Sequence, residues 1–140
     1  MNKTKIRKFS LTPRKIVTLR YYGPFVANSG IMGPIKIDEY FDKFSPDEQK
    51  AIIWHEQYHR KNLTGLWRVY WDVKCFFTKE NSRWIEEFNA DRYSVDNCGK
   101  EKVLRFLKKA KNLYKKKIVE YNSKTHPPIE ERIKIITELK

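Results

Sequence analysis

Two histidines with a glutamate between them form the pattern in this chain best suited to chemistry. His55 and His59 are four positions apart, and Glu56 directly follows the first. On a helix, residues four apart lie on one face, so both imidazoles can bind the same metal ion. Glu56 projects about 100° away from His55, where it can contact a metal-bound water without displacing it. The pattern predicts a zinc site with a glutamate base; the alternative is two histidines that make only ordinary hydrogen bonds.

A catalytic zinc needs a third protein ligand, and a later predicted helix supplies one. Glu87 and Asp91 share a helical face flanked by apolar residues, whereas Glu86 points about 100° away. A metal ligand between two packed helices should border the apolar face, which selects Glu87 over Glu86. Asp91, one turn later, is placed to accept a hydrogen bond from a ligand imidazole. We therefore predict one zinc ion held by His55, His59 and Glu87, the alternative being that the two acids form a solvated edge.

Helices with clear start and stop signals would carry these residues. Ser45 as N-cap and Pro46 at the first position predict the start of the helix that contains His55. Ser82 can cap the helix that contains Glu87, and Gly99 can end it. The predicted helices cover about residues 46–61, 63–77, 83–97, 102–121 and 129–139.

The first forty residues predict β-strands. Residues 16–22 are β-branched and aromatic, and two shorter extended segments follow at 25–28 and 35–37, each preceded by a Gly-Pro pair. Strands followed by helices indicate an α+β fold, with a small N-terminal antiparallel or mixed sheet and a helical part that carries the zinc site. We expect residues 1–140 to form a single domain.

Composition excludes several classes of protein. Hydrophobic residues make up 40% of the chain and aromatic residues 14%, too many for a disordered protein. No apolar segment approaches the roughly 18 residues of a transmembrane span, and the basic N-terminus lacks the apolar core of a signal peptide. The two cysteines, Cys75 and Cys98, are too few for a disulfide framework and predict idle thiols. We expect a soluble, cytoplasmic protein.

The net charge of +13 is concentrated late in the chain. Residues 100–124 contain ten Lys or Arg and two Glu, a net charge of +8. This basic segment is either a solvated helix face or a surface for an anionic partner such as nucleic acid or lipid.

Three motifs, in order along the chain, resemble one family. His55 to His59 is H-E-x-x-H, Glu87 to Asp91 is E-x-x-A-D, and residues 125–133 read T-H-P-P-x-x-x-R-I. Together they are similar to the gluzincin metallopeptidases, and most closely to the minigluzincins and the catalytic domain of the HtpX-like proteases. The resemblance begins at the strands before the zinc helix and extends to about residue 136.

The resemblance implies a zinc endopeptidase that acts on peptide or protein substrates. Zinc would be held by His55, His59 and Glu87, and Glu56 would be first the general base and then the general acid. The late motif implies that His126 lies at the cleft rim as the catalytic donor to the oxyanion. The residues by themselves leave three candidates for that donor, which are His126, Tyr58 and Arg132.

The chain also departs from the family. HtpX-like proteases are membrane-anchored, whereas this sequence has no apolar segment of that length. An aromatic tract lies between the second histidine and Glu87 and contains Trp67, Tyr70, Trp71, Phe76 and Phe77. It is interpreted either as core packing at helical spacing or as a hydrophobic docking surface.

The C-terminal segment, residues 125–140, has two interpretations. Ile129, Ile133 and Ile136 share one helical face, so the predicted last helix must pack on something. It either completes the core of the domain or covers the cleft. The second arrangement, within one chain or across a homo-oligomer, would make the protein latent, as the minigluzincin resemblance suggests.

Two other functions compete with the peptidase. One is a DNA-associated regulatory protease whose basic segment binds nucleic acid. The other is a non-catalytic scaffold stabilised by zinc. The late His-Pro-Pro motif favours a simple peptidase, and Glu56 argues against the scaffold, since a structural zinc needs no base beside it.

Overall fold

The N-terminal part of the chain forms a four-stranded mixed β-sheet. The computed structural model describes residues 5–22, 26–28, 33–62, 65–78 and 81–140, with only the backbone of residues 65–68 and 71. The strands are β1 (Ile6–Thr12), β2 (Lys15–Tyr21), β3 (Ala27–Asn28) and β4 (Ile35–Ile37). They lie in the order β1-β2-β4-β3, with β2 and β4 parallel and the two outer pairs antiparallel. With helices following the sheet, the predicted α+β fold is confirmed.

Alternation of apolar and polar residues decides which face of the sheet is buried. The inward side chains are those of Phe9, Leu11, Val17, Leu19, Ile35 and Ile37. Strand β1 is absent from the sequence prediction, although Phe9 and Leu11 alternate with polar residues as in a half-buried strand. Phe25, which begins the second predicted extended segment, lies outside the described residues.

Five helices follow the sheet. They are α1 (Pro46–Asn62), α2 (Gly65–Thr78), α3 (Ser82–Cys98), α4 (Lys100–Lys115) and α5 (Ile129–Glu138). Residues 63 and 64, where the second helix was expected to begin, are not described. Among the described helices, none has both the length and the apolar character needed to cross a membrane.

The starts of α1 and α3 depend on side-chain caps. At α1, Ser45 Oγ accepts from the backbone N–H of Glu48 at 3.3 Å, and Glu48 Oε2 accepts from the N–H of Ser45 at 2.8 Å. This reciprocal capping box confirms the predicted start. At α3 the predicted cap is wrong, because Asn81 and not Ser82 accepts the first free N–H groups. The hydroxyl of Ser82 donates to Asp72 instead, at 2.9 Å.

Helix α4 ends earlier than predicted. The apolar spacing predicts a helix to about Tyr121, but α4 stops at Lys115. Lys117 has a φ of 54°, and the N–H of Ile118 bonds back to the carbonyl of Leu113 at 3.0 Å. A left-handed residue with this backward bond terminates a helix, and no apolar pattern reports it. The chain is thereby released to form the loop that contains His126.

The last helix is part of the core. Ile129 and Ile136 of α5 are buried with the core residues of α1 and α4. Helix α3 is joined to α1 by Ser94, whose buried hydroxyl donates to the carbonyl of Ala51 at 2.7 Å. Of the two interpretations of the C-terminal segment, this packing corresponds to the one in which it completes the core.

Candidate metal centre

Helices α1 and α3 bring three side chains to one point. The Nε2 atoms of His55 and His59 lie 3.2 Å apart. Glu87 faces both, with Oε2 at 3.3 Å from His55 Nε2 and Oε1 at 3.0 Å from His59 Nε2. This group of three could hold a metal ion, since one ligand atom from each lies within 4.8 Å of the others. We call these three residues the metal cluster.

The spacing of the metal cluster leaves room for one small ion. Nitrogen and oxygen ligands lie about 2.0–2.1 Å from a tetrahedral zinc, so two ligand atoms of one ion lie about 3.3 Å apart. The two Nε2 atoms are 3.2 Å apart, and the two oxygens of Glu87 divide between them, Oε2 at 3.3 Å from His55 and Oε1 at 3.0 Å from His59. Glu87 Oε2 is also buried without a hydrogen bond of good geometry, so a cation between it and the histidines would compensate its burial. The residues present therefore suit a divalent metal with nitrogen and oxygen ligands.

Asp91 sets the orientation of His55. Its Oδ1 atom accepts a hydrogen bond from His55 Nδ1 at 2.8 Å, and both side chains are buried. This hydrogen bond turns Nε2 of His55 towards His59 and Glu87, so the neutral imidazole would present its lone pair to a metal there. A carboxylate behind a ligand imidazole has this role in metal sites. The side chains thus meet as expected from the shared helical face of Glu87 and Asp91.

Charge compensates for burial in the metal cluster. Burial alone would lower the pKa of His55, but the carboxylates of Glu87 and Asp91 raise it to about 10. Burial alone would raise the pKa of Glu87, but the neighbouring imidazoles and the guanidinium of Arg132 hold it well below its usual range. Without a metal, a proton on His55 therefore occupies the position that a cation would take.

Arg132, one of the three candidate donors to the oxyanion, is bound to Asp91. Its Nε and Nη2 atoms donate to the two oxygens of Asp91, each at 2.7 Å, and its side chain is buried. The remaining Nη1 lies 3.6 Å from Glu87 Oε2 and makes no hydrogen bond with it. Two of the three guanidinium nitrogens are therefore committed to the carboxylate behind His55.

Tyr58 lies beside both His59 and α3. Its ring is 6.0 Å from that of His59 and 5.8 Å from that of Tyr93. Burial and the nearby Glu86 raise the pKa of its hydroxyl, and a hydrogen bond with Asn89 of α3 lowers it. Glu86 thus lies near Tyr58, while Glu87 faces the histidines, as the helical-wheel argument predicts.

His126, the third candidate donor, also lies beside the metal cluster. Its Nε2 is 3.7 Å from Glu87 Oε2, and its Nδ1 is 2.7 Å from Thr125 Oγ1. Its backbone carbonyl accepts a hydrogen bond from the hydroxyl of Tyr121 at 2.6 Å. Burial lowers the pKa of this imidazole despite the nearby Glu87, so the ring is neutral at pH 7. Glu56 is also close enough to His126 to influence that pKa.

The sequence alone missed several residues that position the site. Thr125 and Tyr121 hold His126, and Ser94 ties α3 to α1. The partnership of Arg132 with Asp91 had a detectable signal, because Arg132 is a charged residue next to the apolar positions of its helix. A long buried cation of this kind almost always has a buried carboxylate partner.

Two other features of the sequence have definite structural outcomes. Phe76 and Phe77 are each 79% exposed, so the interpretation of the aromatic tract as core packing is wrong for them. The side chains of Trp67 and Trp71 lie outside the described residues.

In the basic segment, many cations are paired within the chain. The ion pairs are Lys102 and Arg105 with Asp47, Lys109 with Glu48, and Lys111 with Glu130. Neither Cys75 nor Cys98 forms a disulfide, as predicted.

Comparison with known proteins identifies no relative. No protein-family model, curated protein or solved structure matches this chain. The similarity to gluzincins thus remains a hypothesis that depends on three short motifs and on the geometry of the metal cluster.

Proposed function

We propose that this protein is a zinc-dependent peptidase of gluzincin type, with His55, His59 and Glu87 as the metal ligands. One observation carries the proposal. The three side chains converge at separations of 3.0–3.3 Å, and the outer nitrogen of His55 is fixed by Asp91. A chance cluster of polar groups has no reason to combine two imidazoles and a carboxylate around one point with a second carboxylate behind one of the imidazoles.

Glu56 is the proton carrier of the proposed reaction. Zinc, when bound, supplies an acidified water and polarises the peptide carbonyl. The carboxylate of Glu56 accepts a proton from the attacking water and then delivers it to the nitrogen of the leaving amine. Glu56 directly follows His55 on α1, so its side chain is turned about 100° away from the ligand face and stays free for this transfer.

His126 is the proposed donor to the carbonyl oxygen as negative charge develops there. The hydroxyl of Thr125 lies 2.7 Å from Nδ1 of His126 and 3.4 Å from the carbonyl of Asn122. We assign the shorter contact as the one in which the hydroxyl donates, which puts the proton of the neutral imidazole on Nε2. That nitrogen is the one on the side of Glu87. A fixed donor at such a position stabilises the charge of the transition state more than that of the substrate.

Strand β3 is the proposed docking edge for the substrate. It pairs with β4 on one side and forms the outer edge of the sheet, and its residues Ala27 and Asn28 lie next to α1. An extended peptide can add to such an edge through backbone hydrogen bonds, which bind it without requiring a particular sequence.

Metal analysis combined with a cleavage assay tests the function. Purified protein should contain one zinc per chain and cleave casein or members of a peptide library. Glu56→Gln should retain the zinc and the fold but lose cleavage. Glu86→Gln is the matched control, with the same chemical change on the face of α3 that meets Tyr58, and should cleave as the wild type does.

Three results would contradict the proposal. Cleavage by Glu56→Gln at the wild-type rate would remove the proposed proton carrier. Protein without zinc, even after incubation with it, would remove the metal site. A zinc-loaded, folded full-length protein that cleaves no peptide would favour the scaffold.

A further inference from the structure

A cavity lies on the side of α1 opposite the metal cluster. It has a volume of about 710 Å³ and opens between β2, the segment before β4 and the end of α1. Its polar lining comes from Lys15, Thr18, Gln57, Arg60 and Lys61. Gln57 follows His55 by two residues and so projects about 200° away from it around the helix axis. The cavity is therefore separate from the proposed peptidase site.

The lining of this cavity is positively charged. Lys15, Arg60 and Lys61 contribute three cations, and none of the described residues that line it is acidic. Glu80 is the only acidic residue of the chain that the structure does not describe. Like charges gathered around one concave surface raise the potential inside it and favour an anionic ligand.

These cations are not neutralised by acids of the described chain. The ammonium of Lys15 lies 4.6 Å from the centre of the Trp54 ring, and that of Lys61 lies 5.8 Å from the centre of the Tyr93 ring. Arg60 makes no hydrogen bond or ion pair with any described residue. Aromatic faces position cations without cancelling their charge. This differs from the basic segment, where Asp47, Glu48 and Glu130 pair with most of the α4 cations.

Neutral hydrogen-bond donors complete the lining. Strand β4 pairs with β2 only from Leu19 onward, so no described strand covers the same edge of β2 at residues 15–18. Alternate backbone N–H groups of a strand point to each of its edges. The hydroxyl of Thr18 and the amide of Gln57 add two side-chain donors. Guanidinium, ammonium and N–H donors together are the set that binds phosphate oxygens.

We propose that this cavity binds a small organic phosphate. A single carboxylate would leave two of the three cations uncompensated, whereas a phosphate monoester carries a charge of about −1.5 to −2 at neutral pH. The volume of about 710 Å³ is far larger than a phosphate ion needs and lies within the range of about 300–1,000 Å³ for small-molecule sites. Tyr93 and Pro34 provide apolar surface for the organic part. The inference does not depend on the proposed peptidase activity.

Titration of the full-length, isotope-labelled protein tests the proposal, with AMP, inorganic phosphate and adenosine as probes. AMP should produce saturable NMR shifts at the amides of Thr18, Gln57 and Lys61. Inorganic phosphate should shift the same amides with weaker affinity, and adenosine at equal concentration should not. The double variant Arg60→Gln/Lys61→Gln should weaken AMP binding by about tenfold or more, since it removes two charged contacts. Lys15 lies on the opposite wall of the cavity, and the single variant Lys15→Gln should also weaken AMP binding.

The matched control removes two charges elsewhere. Lys108 and Lys115 are exposed on α4 and make no ion pair with a described residue, so Lys108→Gln/Lys115→Gln lowers the net charge equally. It should leave the affinity for AMP within about twofold. Equal losses in both double variants would mean that AMP is held only by the general charge of +13.

Three further results would overturn the proposal. The first is no saturable response to AMP or phosphate at the cavity amides. The second is equal binding of adenosine and AMP, because the phosphate would then not be recognised. The third is equal binding of phosphate and AMP, which would leave no role for the organic part. Thermal unfolding of each variant shows whether it is folded when these results are obtained.

Discussion

Arg132 of the last helix binds Asp91 of α3 through two hydrogen bonds of 2.7 Å, and both side chains are buried. The same Asp91 accepts from Nδ1 of His55. The C-terminal helix is thereby linked through one carboxylate to the first residue of the metal cluster. This linkage explains how a segment more than seventy residues after His55 contributes to the site without supplying a ligand.

Breaking the pair of Arg132 and Asp91 should destabilise the protein strongly. Arg132→Met leaves a buried carboxylate without its cation, which costs about 3–5 kcal/mol in the free energy of unfolding. The matched control is Lys111→Met, which breaks an exposed ion pair between α4 and the same last helix, Lys111 with Glu130, and should cost less than about 1 kcal/mol. Urea unfolding followed by circular dichroism measures both. Similar small losses in the two variants would show that the buried pair is not needed for stability.

The C-terminal helix should behave as core and not as a removable plug. Ile136 is 1% exposed, so Ile136→Ala should lower the free energy of unfolding by about 2–5 kcal/mol. The adjacent, exposed Thr137→Ala serves as control and should change it little. A chain that ends at Asn122 should unfold at a much lower temperature than the full chain. If that shorter chain stayed folded and became more active, the helix would be an inhibitory plug.

Zinc affinity should distinguish the roles of the neighbouring Glu86 and Glu87. Loss of a residue behind the ligands weakens metal binding by about 10- to 100-fold. Glu87→Ala removes a ligand itself and should weaken zinc binding by more than that. Glu86→Ala should leave the affinity unchanged, because Glu86 lies near Tyr58 and not at the metal cluster. Competition with a chromophoric chelator measures both affinities. The opposite order would mean that the ligand assignment is wrong.

Zinc uptake at neutral pH should release a proton. In the metal-free protein Glu87 and Asp91 raise the pKa of His55 to about 10, so its imidazole is charged at pH 7. A ligand imidazole must be neutral at the coordinating nitrogen, and the apparent affinity should therefore rise about tenfold per pH unit below that pKa. Calorimetric titration in two buffers of different ionisation enthalpy detects the proton. The same heat in both buffers would show that none is released.

His126 should matter for turnover and not for metal retention. His126→Ala should lower kcat by about 10²–10³-fold, the usual cost of losing a donor to the oxyanion, with the zinc content unchanged. Thr125→Val should lower kcat less, because it removes only the hydroxyl that fixes the tautomer of His126. Thr125→Ser keeps that hydroxyl and should have the wild-type kcat. Steady-state kinetics with metal analysis of each variant tests this. Full activity of His126→Ala would exclude the role.

Local patterns located the candidate ligands but not the residues that surround them. Helical periodicity alone selected Glu87 over Glu86 and put Asp91 on the same face, because both choices depend only on the 3.6-residue repeat. The predicted end of α4 was wrong because the positive φ of Lys117 cannot be read from the spacing of apolar residues. Of the three candidate donors, the residues could rank none, since Tyr58, His126 and Arg132 belong to three different segments whose meeting depends on the fold.

The sequence by itself determined the α+β order, the start of α1, and the candidate metal ligands, since each of these depends on residues within one helix or strand. Only the tertiary structure decided that α5 packs into the core, that Arg132 pairs with Asp91, and that His126 lies beside Glu87. It alone also placed Lys15 across a cavity from Arg60 and Lys61. The residue pairs named here are 39 to 46 positions apart, and their partners are selected by the burial of apolar faces and the pairing of buried charges in the folded chain, which no local repeat encodes.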